Sequence, residues 1–269
     1  MNKAIVVGTL GIALSFAMLA FGYLSGTTPP VSARERPALS ASAEMDKETV
    51  ETIVRDFLLA NPEIMLEVQA ALEDKQDAAR QFAQTEAIRN SSDIIFNADY
   101  DGLVGNPSGT TTIVEFFDYN CGYCRRALSD MQQLVAADPD LRFVLKEFPI
   151  LGPDSRKAHV VSMAFRVLAP EQYGAFHEAL LNFPGRANED TAIKIALSFG
   201  IEEAVLRDAM KNTDIEAAFN ETYALASELA ITGTPSYVVG QEVIFGAQGR
   251  EILAEKIETA RSCARDATC

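Results

Sequence analysis

The sequence has no tryptophan, only two histidines and only four cysteines in 269 residues. Positive charge is also scarce, because 23 lysines and arginines stand against 38 acidic residues, which gives a formal net charge of −15 at pH 7. Phosphate-binding surfaces need clustered lysine and arginine, so this balance argues against nucleic acid as a partner. Four cysteines are too few for a disulfide scaffold in so long a chain, and their positions therefore matter more than their number.

The one long apolar run lies at the N-terminus. Residues 4–24 carry no charge and are long enough to span a bilayer as a helix. A cleaved signal peptide has a shorter apolar region with a small-x-small site close behind it, but the best such site, Ala41-Ser42-Ala43, lies far downstream. Residues 1–26 are predicted to be a membrane anchor or a signal peptide, with a buried soluble helix as the third alternative. Either of the first two delivers the chain to an oxidising compartment.

Between this segment and the main domain, the sequence predicts a linker and two helices. Residues 27–45 are rich in Pro, Ser and Ala without apolar periodicity, which is typical of a disordered linker. A first amphipathic helix follows Asp46, with its apolar stripe at Val50, Ile53, Val54, Phe57 and Leu58.

A second helix is predicted to begin at Asn61-Pro62-Glu63, because Asn is a preferred N-cap and Pro suits the first helical position. Its apolar positions approximate a seven-residue repeat, which Lys75 interrupts. Both stripes need burial, so residues 46–90 are expected either to form a homo-oligomer or to fold back onto the main domain. The apolar positions of the second helix are Met65, Val68, Leu72, Ala79 and Phe82.

Residues 91–269 have the pattern of one mixed α/β domain. A predicted helix through Arg125 and Leu134 separates two apolar segments, which gives a βαβ unit. The first of these segments is apolar on both alternating faces, as in a central strand covered on each side. Strands are predicted at Asp93–Ala98, Thr111–Tyr119 and Leu141–Phe148.

The remainder of the domain is predicted to be largely helical before a closing hairpin. Residues 153 to about 230 form the helical part, with breaks at Pro170, Pro184-Gly185 and Gly200. A hairpin over Ser236–Gln248 turns near Gly240-Gln241, and a final helix covers Arg250–Arg265.

The cysteines Cys121 and Cys124 are separated by two residues where a predicted strand passes into a helix. Unpaired N–H groups and the dipole at a helix N-terminus favour negative charge, so Cys121 is expected to be a stabilised thiolate and the nucleophile. Cys124 lies one turn inside the helix, within bridging distance, and is expected to resolve the mixed disulfide. Stabilising the reduced form makes the disulfide a stronger oxidant.

Two other uses of this cysteine pair are a zinc site and an inert structural bridge. Zinc needs about four ligands, and the remaining candidates are Cys263, Cys269, His159 and His177. The two histidines are better interpreted as ordinary helix residues, so no metal site and no cofactor are predicted. Cys263 and Cys269 are expected to form a local disulfide, with intermolecular pairing or free thiols as alternatives.

Glu115 lies six residues before Cys121, on the same side of its strand as Ile113 and Phe117. A carboxylate buried there is costly unless it has a partner or a role. It is interpreted either as hydrated or paired to Lys146 on the neighbouring strand, or as the proton acceptor for Cys124.

Pro235 stands at the head of a predicted strand, after a Gly-Thr pair. A proline in such a place often marks a turn or a cis peptide bond. A cis Thr234-Pro235 bond next to the cysteines would present the backbone of Thr234 to an extended substrate.

Three segments together resemble the DsbA-like branch of the thioredoxin superfamily: Cys121-Gly122-Tyr123-Cys124 after VEFFDYN, KEFPILGP from Lys146, and GTPSYVVG from Gly233. The resemblance covers about residues 92–262. It implies an α/β thioredoxin fold with a helical domain inserted between Lys146 and Thr234, a catalytic Cys121, a resolving Cys124, a cis-Pro235 and a buried acid at Glu115. The helices over residues 46–90 resemble the N-terminal oligomerisation region of the ScsC (suppressor of copper sensitivity) group.

The motif residues differ from those of the oxidases in this branch. Gly122-Tyr123 replaces the Pro-His pair, and Thr234 precedes the proline, choices that are similar to those of the disulfide isomerase DsbC. These residues and Pro235 are expected to contact substrate. The resemblance therefore leaves both directions of electron flow open, oxidation and isomerisation.

The expected function is that of a periplasmic enzyme that forms or isomerises disulfide bonds, tethered to the inner membrane if the N-terminal helix is retained. Its expected partners are cysteine-containing exported proteins and a membrane redox partner that recycles the cysteine pair. The alternative is a binding module, either a peptide-holding chaperone or a protein that sequesters Cu(I), because soft thiolates suit that ion.

Overall fold

The computed structural model describes residues 46–266, with side chains through residue 264. The predicted anchor or signal peptide, the predicted linker and Cys269 lie outside the described residues and stay predictions. Among the helices that are described, none is long and apolar enough to cross a membrane. The described residues divide into two compact units, residues 46–66 and residues 67–266.

The first unit contains helix α1 (Lys47–Ala60). The carboxylate of Asp46 caps this helix by accepting the N–H of Thr49 at 2.8 Å. Asn61 ends it, because both its backbone N–H and its side-chain amide donate to the carbonyl oxygen of Phe57. The next helix, α2 (Ile64–Asn90), begins at Ile64. The prediction that Asn61 caps α2 is therefore wrong, since its side chain closes the last turn of α1.

The C-terminal end of α2 belongs to the second unit and is anchored there. Ile88 is buried, and the side-chain amide of Gln84 donates to the carbonyl oxygen of Leu229 at 2.9 Å. The earlier apolar positions Val68, Leu72 and Phe82 are exposed. The last turns of α2 thus pack on the domain, but none of the five apolar positions predicted for this helix is buried there, so the homo-oligomer alternative stays a prediction.

Residues Asp93–Ala98, predicted as a strand, instead form the short helix α3 (Ser92–Asn97). A short apolar run does not distinguish a strand from a buried helix by its spacing. Ile95 alone is fully buried, and the carbonyl oxygens of Ile94 and Phe96 accept hydrogen bonds from Lys146 and Arg142. Contacts with the neighbouring sheet therefore decide the conformation of this segment.

A five-stranded sheet forms the centre of the second unit, in the order β1-β3-β2-β4-β5. Strands β2 and β3 are parallel and are joined by helix α4 (Gly122–Ala137), which confirms the predicted βαβ unit. The predicted hairpin is β4 with β5, and β4 runs antiparallel to β2. The strands are β1 (Gly102–Gly105), β2 (Thr111–Phe117), β3 (Leu141–Glu147), β4 (Ser236–Val239) and β5 (Glu242–Phe245).

The helical insertion lies between β3 and β4, as predicted. Its last helix ends at Glu228, before β4 begins. Within the insertion, Asn188 is the N-cap of one helix and forms a capping box with Thr191. A last helix follows β5 and closes the domain. The helices are α5 (Pro153–Leu168), α6 (Tyr173–Leu181), α7 (Glu189–Ser198), α8 (Glu203–Ala209), α9 (Thr213–Glu228) and, after the sheet, α10 (Arg250–Asp266), with a 3-10 turn at Pro170–Gln172.

The central strand β2 is covered on both faces, as its sequence predicts. On one face Ile113 and Phe117 pack with α4 and the insertion in one hydrophobic cluster. On the other face Val114 and Phe116 pack with Ile88 in a second cluster. Full burial of each such side chain contributes about 1.5–3 kcal/mol to the free energy of unfolding. The two-sided cover holds the C-terminal end of β2, and hence the loop that leads to Cys121, in one place.

Candidate active site

Cys121 is the N-cap residue of α4, and Cys124 lies in the first turn of that helix. Both are free thiols. The backbone N–H of Cys124 donates to the sulfur of Cys121 at 3.4 Å, so the helix N-terminus provides the donors that the sequence predicts. Cys124 is fully buried, whereas Cys121 keeps a small exposed fraction. The outer thiol is thus the one that a substrate can reach.

The surroundings of Cys121 favour its thiolate. The thiol of Cys124 donates a hydrogen bond to its sulfur, and this contact does most to lower the pKa of Cys121, to about 5. Partial burial opposes the shift, whereas the Thr234 hydroxyl and the N–H groups of Cys124 and Tyr123 reinforce it. Cys121 is therefore ionised at neutral pH, which is the state in which a cysteine attacks a disulfide.

The pKa values of Cys124 and Glu115 are raised, whereas that of Cys121 is lowered. Burial raises the pKa of the Cys124 thiol, and its hydrogen bond to Cys121 and the charge of Glu115 raise it further. Burial also raises the pKa of Glu115 to about 8, with smaller contributions from the charges of Cys121 and Asp130. Near pH 7 the site therefore holds one thiolate, one thiol and one carboxyl group that is poised to gain or lose a proton.

Lys146 is not the partner of Glu115. The two side chains lie on opposite faces of the sheet, because Glu115 is level with Leu145 in the parallel register and Lys146 is level with Phe116. Lys146 instead forms a buried ion pair with Asp101 at 2.7 Å and stacks over the ring of Tyr100. The interpretation of Glu115 as one half of an ion pair with Lys146 is therefore wrong. Glu115 instead lies close enough to Cys121 and Cys124 for their charges to interact.

The peptide bond between Thr234 and Pro235 is cis, as predicted. The thiol of Cys121 donates to the carbonyl oxygen of Thr234 at 3.1 Å, so the segment before β4 lies directly over the nucleophile. Gly122 and Tyr123 are exposed next to it, and the guanidinium of Arg126 lies 4.2 Å from the centre of the Tyr123 ring. Every residue predicted for the site is thus brought to one end of the sheet.

Several residues of this region were not predicted from the sequence. Tyr237 is buried opposite Glu115 on β4, and burial, followed by the charge of Glu115, raises its pKa. Asn120 fastens the loop before Cys121 to the insertion, because its side chain exchanges two hydrogen bonds with the backbone of Ala187. His159 and His177 lie in helices as predicted, but both are buried, where Nδ1 of His159 contacts Glu147 and Nδ1 of His177 lies 3.3 Å from the Tyr119 hydroxyl.

Within the described residues, no group of three or more His, Cys, Asp or Glu side chains is arranged to hold a metal ion. Cys263 is disulfide-bonded. Its predicted pairing with Cys269 stays a prediction, because Cys269 lies beyond the part of the chain that is described. A thiolate at a helix N-terminus beside a protonated partner thiol, under a cis-proline segment, can form and resolve a mixed disulfide.

This fold and this site define a thiol–disulfide oxidoreductase of the thioredoxin-like class. Residues 112–258, more than half of the chain, match the profile of the DSBA-like thioredoxin domain. The chain belongs to this family. Residues 46–79 match the profile described as the N-terminal domain of the copper resistance protein ScsC. A search of curated protein sequences gives no significant match.

Solved structures agree with this assignment. A thioredoxin-like oxidoreductase from Silicibacter pomeroyi is 40% identical with a TM-score of 0.60, over 63% of this chain and 97% of that one. The thiol–disulfide exchange protein α-DsbA2 from Wolbachia pipientis is 29% identical with a TM-score of 0.62, over 67% and 97%. ScsC from Proteus mirabilis is 25% identical with a TM-score of 0.60, over 82% and 99%. The match to ScsC extends over more of this chain than the other two.

Proposed function

We propose that this chain is an extracytoplasmic enzyme that forms or isomerises disulfide bonds in exported proteins through Cys121 and Cys124. The observation that carries the proposal is the opposite electrostatics of the two thiols, since the pKa of Cys121 is lowered to about 5 and that of Cys124 is raised. Stepwise exchange needs a nucleophile that is ionised at neutral pH beside a second thiol that stays protonated until its turn.

The reduced form acts on a substrate disulfide in two steps. The Cys121 thiolate attacks one substrate sulfur, forms a mixed disulfide and releases the other sulfur as a thiolate. Glu115 must be ionised to accept a proton, and formation of the mixed disulfide favours that state because it removes the charge of Cys121, one cause of the raised pKa of Glu115. Cys124 then gives up its proton to Glu115, the proposed acceptor, and attacks the sulfur of Cys121. That step releases the second substrate thiolate and leaves the Cys121–Cys124 disulfide. The reverse sequence oxidises two substrate thiols, and a substrate that attacks its own mixed disulfide is isomerised instead.

A trapping experiment tests the proposal. Cys124→Ser should accumulate a mixed disulfide between Cys121 and an unfolded exported protein that carries disulfide bonds, because the Cys121 thiolate attacks a substrate disulfide and no second thiol resolves the product. Cys121→Ser should form none and should lose exchange activity. Non-reducing electrophoresis and mass spectrometry of the trapped species give the readout. Similar amounts of adduct at the two cysteines, or wild-type protein that does not exchange thiols, would rule out the proposed function.

Residues 46–90 are proposed to assemble the chain into a homo-oligomer that favours isomerisation. Helix α1 has no buried residue, and its stripe leaves Val50, Ile53, Val54 and Phe57 exposed. Several sites in one assembly hold a misbridged substrate at high effective concentration, which favours repeated attempts at reshuffling. The match of residues 46–79 to the ScsC N-terminal domain supports this region as a separate module.

The location outside the cytoplasm is part of the proposal. The disulfide at Cys263 supports an oxidising compartment, and the predicted anchor or signal peptide supplies the route. A membrane redox partner is then needed to restore the working state of Cys121 and Cys124 after each turnover. Fractionation of cells that express the full-length chain, with protease added to spheroplasts, tests the location. Protection from protease in intact spheroplasts would contradict it.

Binding of Cu(I) is the second candidate function. It is favoured by the paired free thiols and by the match of residues 46–79 to a domain named for copper resistance. Competition between the reduced protein and a Cu(I) chelator measures the affinity, with Cys121→Ser as the control. Catalytic turnover that a chelator leaves unchanged, together with weak Cu(I) binding, would leave the exchange activity as the function.

A further inference from the structure

Two arginines follow the cysteine pair directly on helix α4, in a chain whose formal net charge is −15. Acidic residues lie in the first turn of most of the other helices, where they complement the helix dipole, but the first turn of α4 has none. The same dipole disfavours positive charge close to a helix N-terminus. Arg125 and Arg126 therefore have a role other than the stabilisation of α4.

The two arginines differ in what they contact. Arg125 is half-buried, and its Nε donates to the carbonyl oxygen of Leu181 in the insertion at 2.8 Å. Arg126 is exposed, and within the described residues its guanidinium has neither an ion pair nor a hydrogen bond. Asp130 lies one turn further along α4, but its charge acts on the buried Glu115. The charge of Arg126 is thus available to a molecule that approaches from solvent.

The guanidinium of Arg126 lies over the ring of Tyr123, one turn before it on the same side of the helix. Its central carbon is 4.2 Å from the centre of the ring, and Tyr123 is itself 59% exposed. Because helical side chains lean toward the N-terminus of their helix, this contact brings the guanidinium toward the cysteine end of α4. A guanidinium that rests on a ring keeps N–H donors at its edge, and these match the two oxygens of a carboxylate.

We propose that Arg126, held over Tyr123, is a specificity-determining residue that selects substrates with a carboxylate close to the reacting cysteine. The inference rests on the exchange reaction proposed above and names a substrate class for it. The net charge of the chain and the thiolate of Cys121 repel an acidic substrate, and Arg126 offsets that repulsion at the point of attack. In the step concerned, a bond forms between Cys121 and one substrate sulfur, the substrate disulfide breaks, and the other sulfur leaves as a thiolate.

The spacing along α4 predicts where this carboxylate lies in the substrate. The five residues from Cys121 to Arg126 span roughly 8 Å along the helix axis. An extended peptide rises about 3.3 Å per residue. An Asp or Glu two or three residues from the substrate cysteine can therefore reach Arg126 while the sulfurs react.

Three peptides test the inference on the full-length chain with Cys124→Ser, which keeps the adduct on Cys121 unresolved. Each peptide is a dimer joined by one disulfide, so attack on either sulfur gives the same adduct, and the peptides differ only in Glu, Gln or Lys two residues from the cysteine. Acid-quenched mass spectrometry gives the initial rate of adduct formation, and the rate of each peptide with dithiothreitol corrects for its own reactivity.

The corrected rate should be about two- to fivefold higher for the Glu peptide than for the Gln peptide, which is the range of an exposed ion pair, and lowest for the Lys peptide. High salt should remove the difference. Arg126→Gln should abolish the preference, Arg126→Glu should reverse it, and Tyr123→Leu should weaken it. Arg80→Gln is the matched control, because it removes the same charge from an exposed site on α2 and should keep the preference.

A parallel measurement separates substrate selection from a change in the nucleophile. The side chains that lower the pKa of Cys121 are those of Cys124 and Thr234. Alkylation of Cys121 by iodoacetamide, a neutral reagent, should therefore titrate at the same pH with and without Arg126→Gln.

Equal corrected rates for the Glu and Lys peptides, a preference that survives Arg126→Gln, or an equal loss in Arg80→Gln would overturn the inference. An alkylation profile that moves together with the peptide preference would overturn it as well, because Arg126 would then act on Cys121 and not on substrate. If none of the peptides forms an adduct on Cys121, the proposed function itself is overturned.

Discussion

The sulfur of Cys121 lies 3.1 Å from the carbonyl oxygen of Thr234, and the hydroxyl of the same threonine helps to hold the pKa of Cys121 down. One residue therefore serves both protonation states of the nucleophile. The thiol donates to the carbonyl oxygen, whereas the thiolate, which can only accept, is served by the hydroxyl. The backbone interaction survives any substitution at this position, but the hydroxyl interaction depends on the side chain.

Thr234→Val removes the hydroxyl at nearly constant volume. A hydrogen bond to a charged group contributes about 1.5–3 kcal/mol, and 1.36 kcal/mol corresponds to one pKa unit, so the pKa of Cys121 should rise by roughly one unit at this partly open site. The rate of alkylation of Cys121 against pH measures the shift. Thr232→Val, in the same loop but exposed, is the control and should leave the profile in place. An unchanged profile for Thr234→Val would show that the Thr234 hydroxyl does not contribute to the low pKa of Cys121, which the Cys124 thiol and the backbone N–H groups would then account for.

The stability of the reduced protein should depend on pH through Cys121. In the unfolded chain a cysteine has a pKa of about 8.5, and the fold lowers the pKa of Cys121 to about 5. A lowered pKa stabilises the fold above the unfolded value, and the stabilisation is lost as the pH falls through the folded value. It should therefore be complete above about pH 8.5 and absent below about pH 5.

The oxidised pair cannot titrate, so it provides the reference. Urea unfolding of both redox forms between pH 5 and 8.5 should show the reduced form gaining on the oxidised form, with a slope of at most about 1.4 kcal/mol per pH unit. Burial raises the pKa of Glu115 to about 8. This carboxyl is present in both redox forms, so its contribution to the free energy of unfolding largely cancels in the comparison. Reduced Cys121→Ser should lose the slope. A pH-independent difference between the redox forms would contradict the lowered pKa.

Glu115→Gln should slow the release of the mixed disulfide by about 10²-fold, as the loss of a general base does, and should change the attack by Cys121 far less. Stopped-flow measurements with a disulfide-linked fluorescent peptide resolve the attack by Cys121 from the release of the mixed disulfide. The peptide label is needed because the chain has no tryptophan. Asp130→Asn is the control, since Asp130 also contributes charge at Glu115 but lies partly open on α4. If release keeps its wild-type rate in Glu115→Gln, Glu115 does not accept the proton of Cys124.

A chain that begins at Glu44 should form a symmetric oligomer with isomerase activity, whereas one that begins at Asp77 should be a monomer that still exchanges thiols. The shorter chain must keep Gln84 and Ile88, because both are buried in the catalytic domain and a cut at Ser91 would open its core. Sedimentation and the refolding of a scrambled disulfide protein measure the two properties together.

Single substitutions in the longer chain show whether the exposed stripe of α1, and not some other effect of removing residues, is what makes the chain oligomerise. Phe57→Glu charges the exposed stripe of α1 and should give monomers, while Thr52→Glu adds the same charge to the opposite side of that helix and should not. A monomeric longer chain, or equal isomerase activity in both chains, would eliminate the isomerase proposal and leave an oxidase.

The sequence predicts those parts of the fold whose signals are local. The βαβ unit, the closing hairpin and the position of Cys121 follow from apolar runs, from Gly240-Gln241 and from the strand-to-helix junction, and the structure has all three. Strand β1 has no such signal, because a run of four residues with a glycine at each end is too short and too weak in strand propensity to be recognised. It exists because it pairs with β3, and Gly102 suits it because a Cβ there would overlap the ring of Tyr173.

The candidate site divides in the same way. Cys121, Cys124 and Pro235 are visible as motifs, and the burial of Glu115 is visible from its strand. The partner of Lys146 is not visible in the sequence, because Asp101 is distant from it in the chain and follows a segment that was predicted as a strand but forms helix α3. The same holds for His159, whose environment depends on the packing of α5 against the end of β3. Such pairings are set by tertiary contacts that one sequence does not display.

The sulfur of Cys121 and the carbonyl oxygen that covers it are separated by 113 residues in the chain. During synthesis, both cysteines emerge long before the segment that closes over them, and β4 completes the middle of the sheet only after the whole insertion has been made. Until then a reactive pair of thiols has no cover and can react with any disulfide nearby. For the extracytoplasmic enzyme proposed above, translocation of a reduced and unfolded chain after translation is finished would bring the cysteines and their covering segment to the folding compartment together.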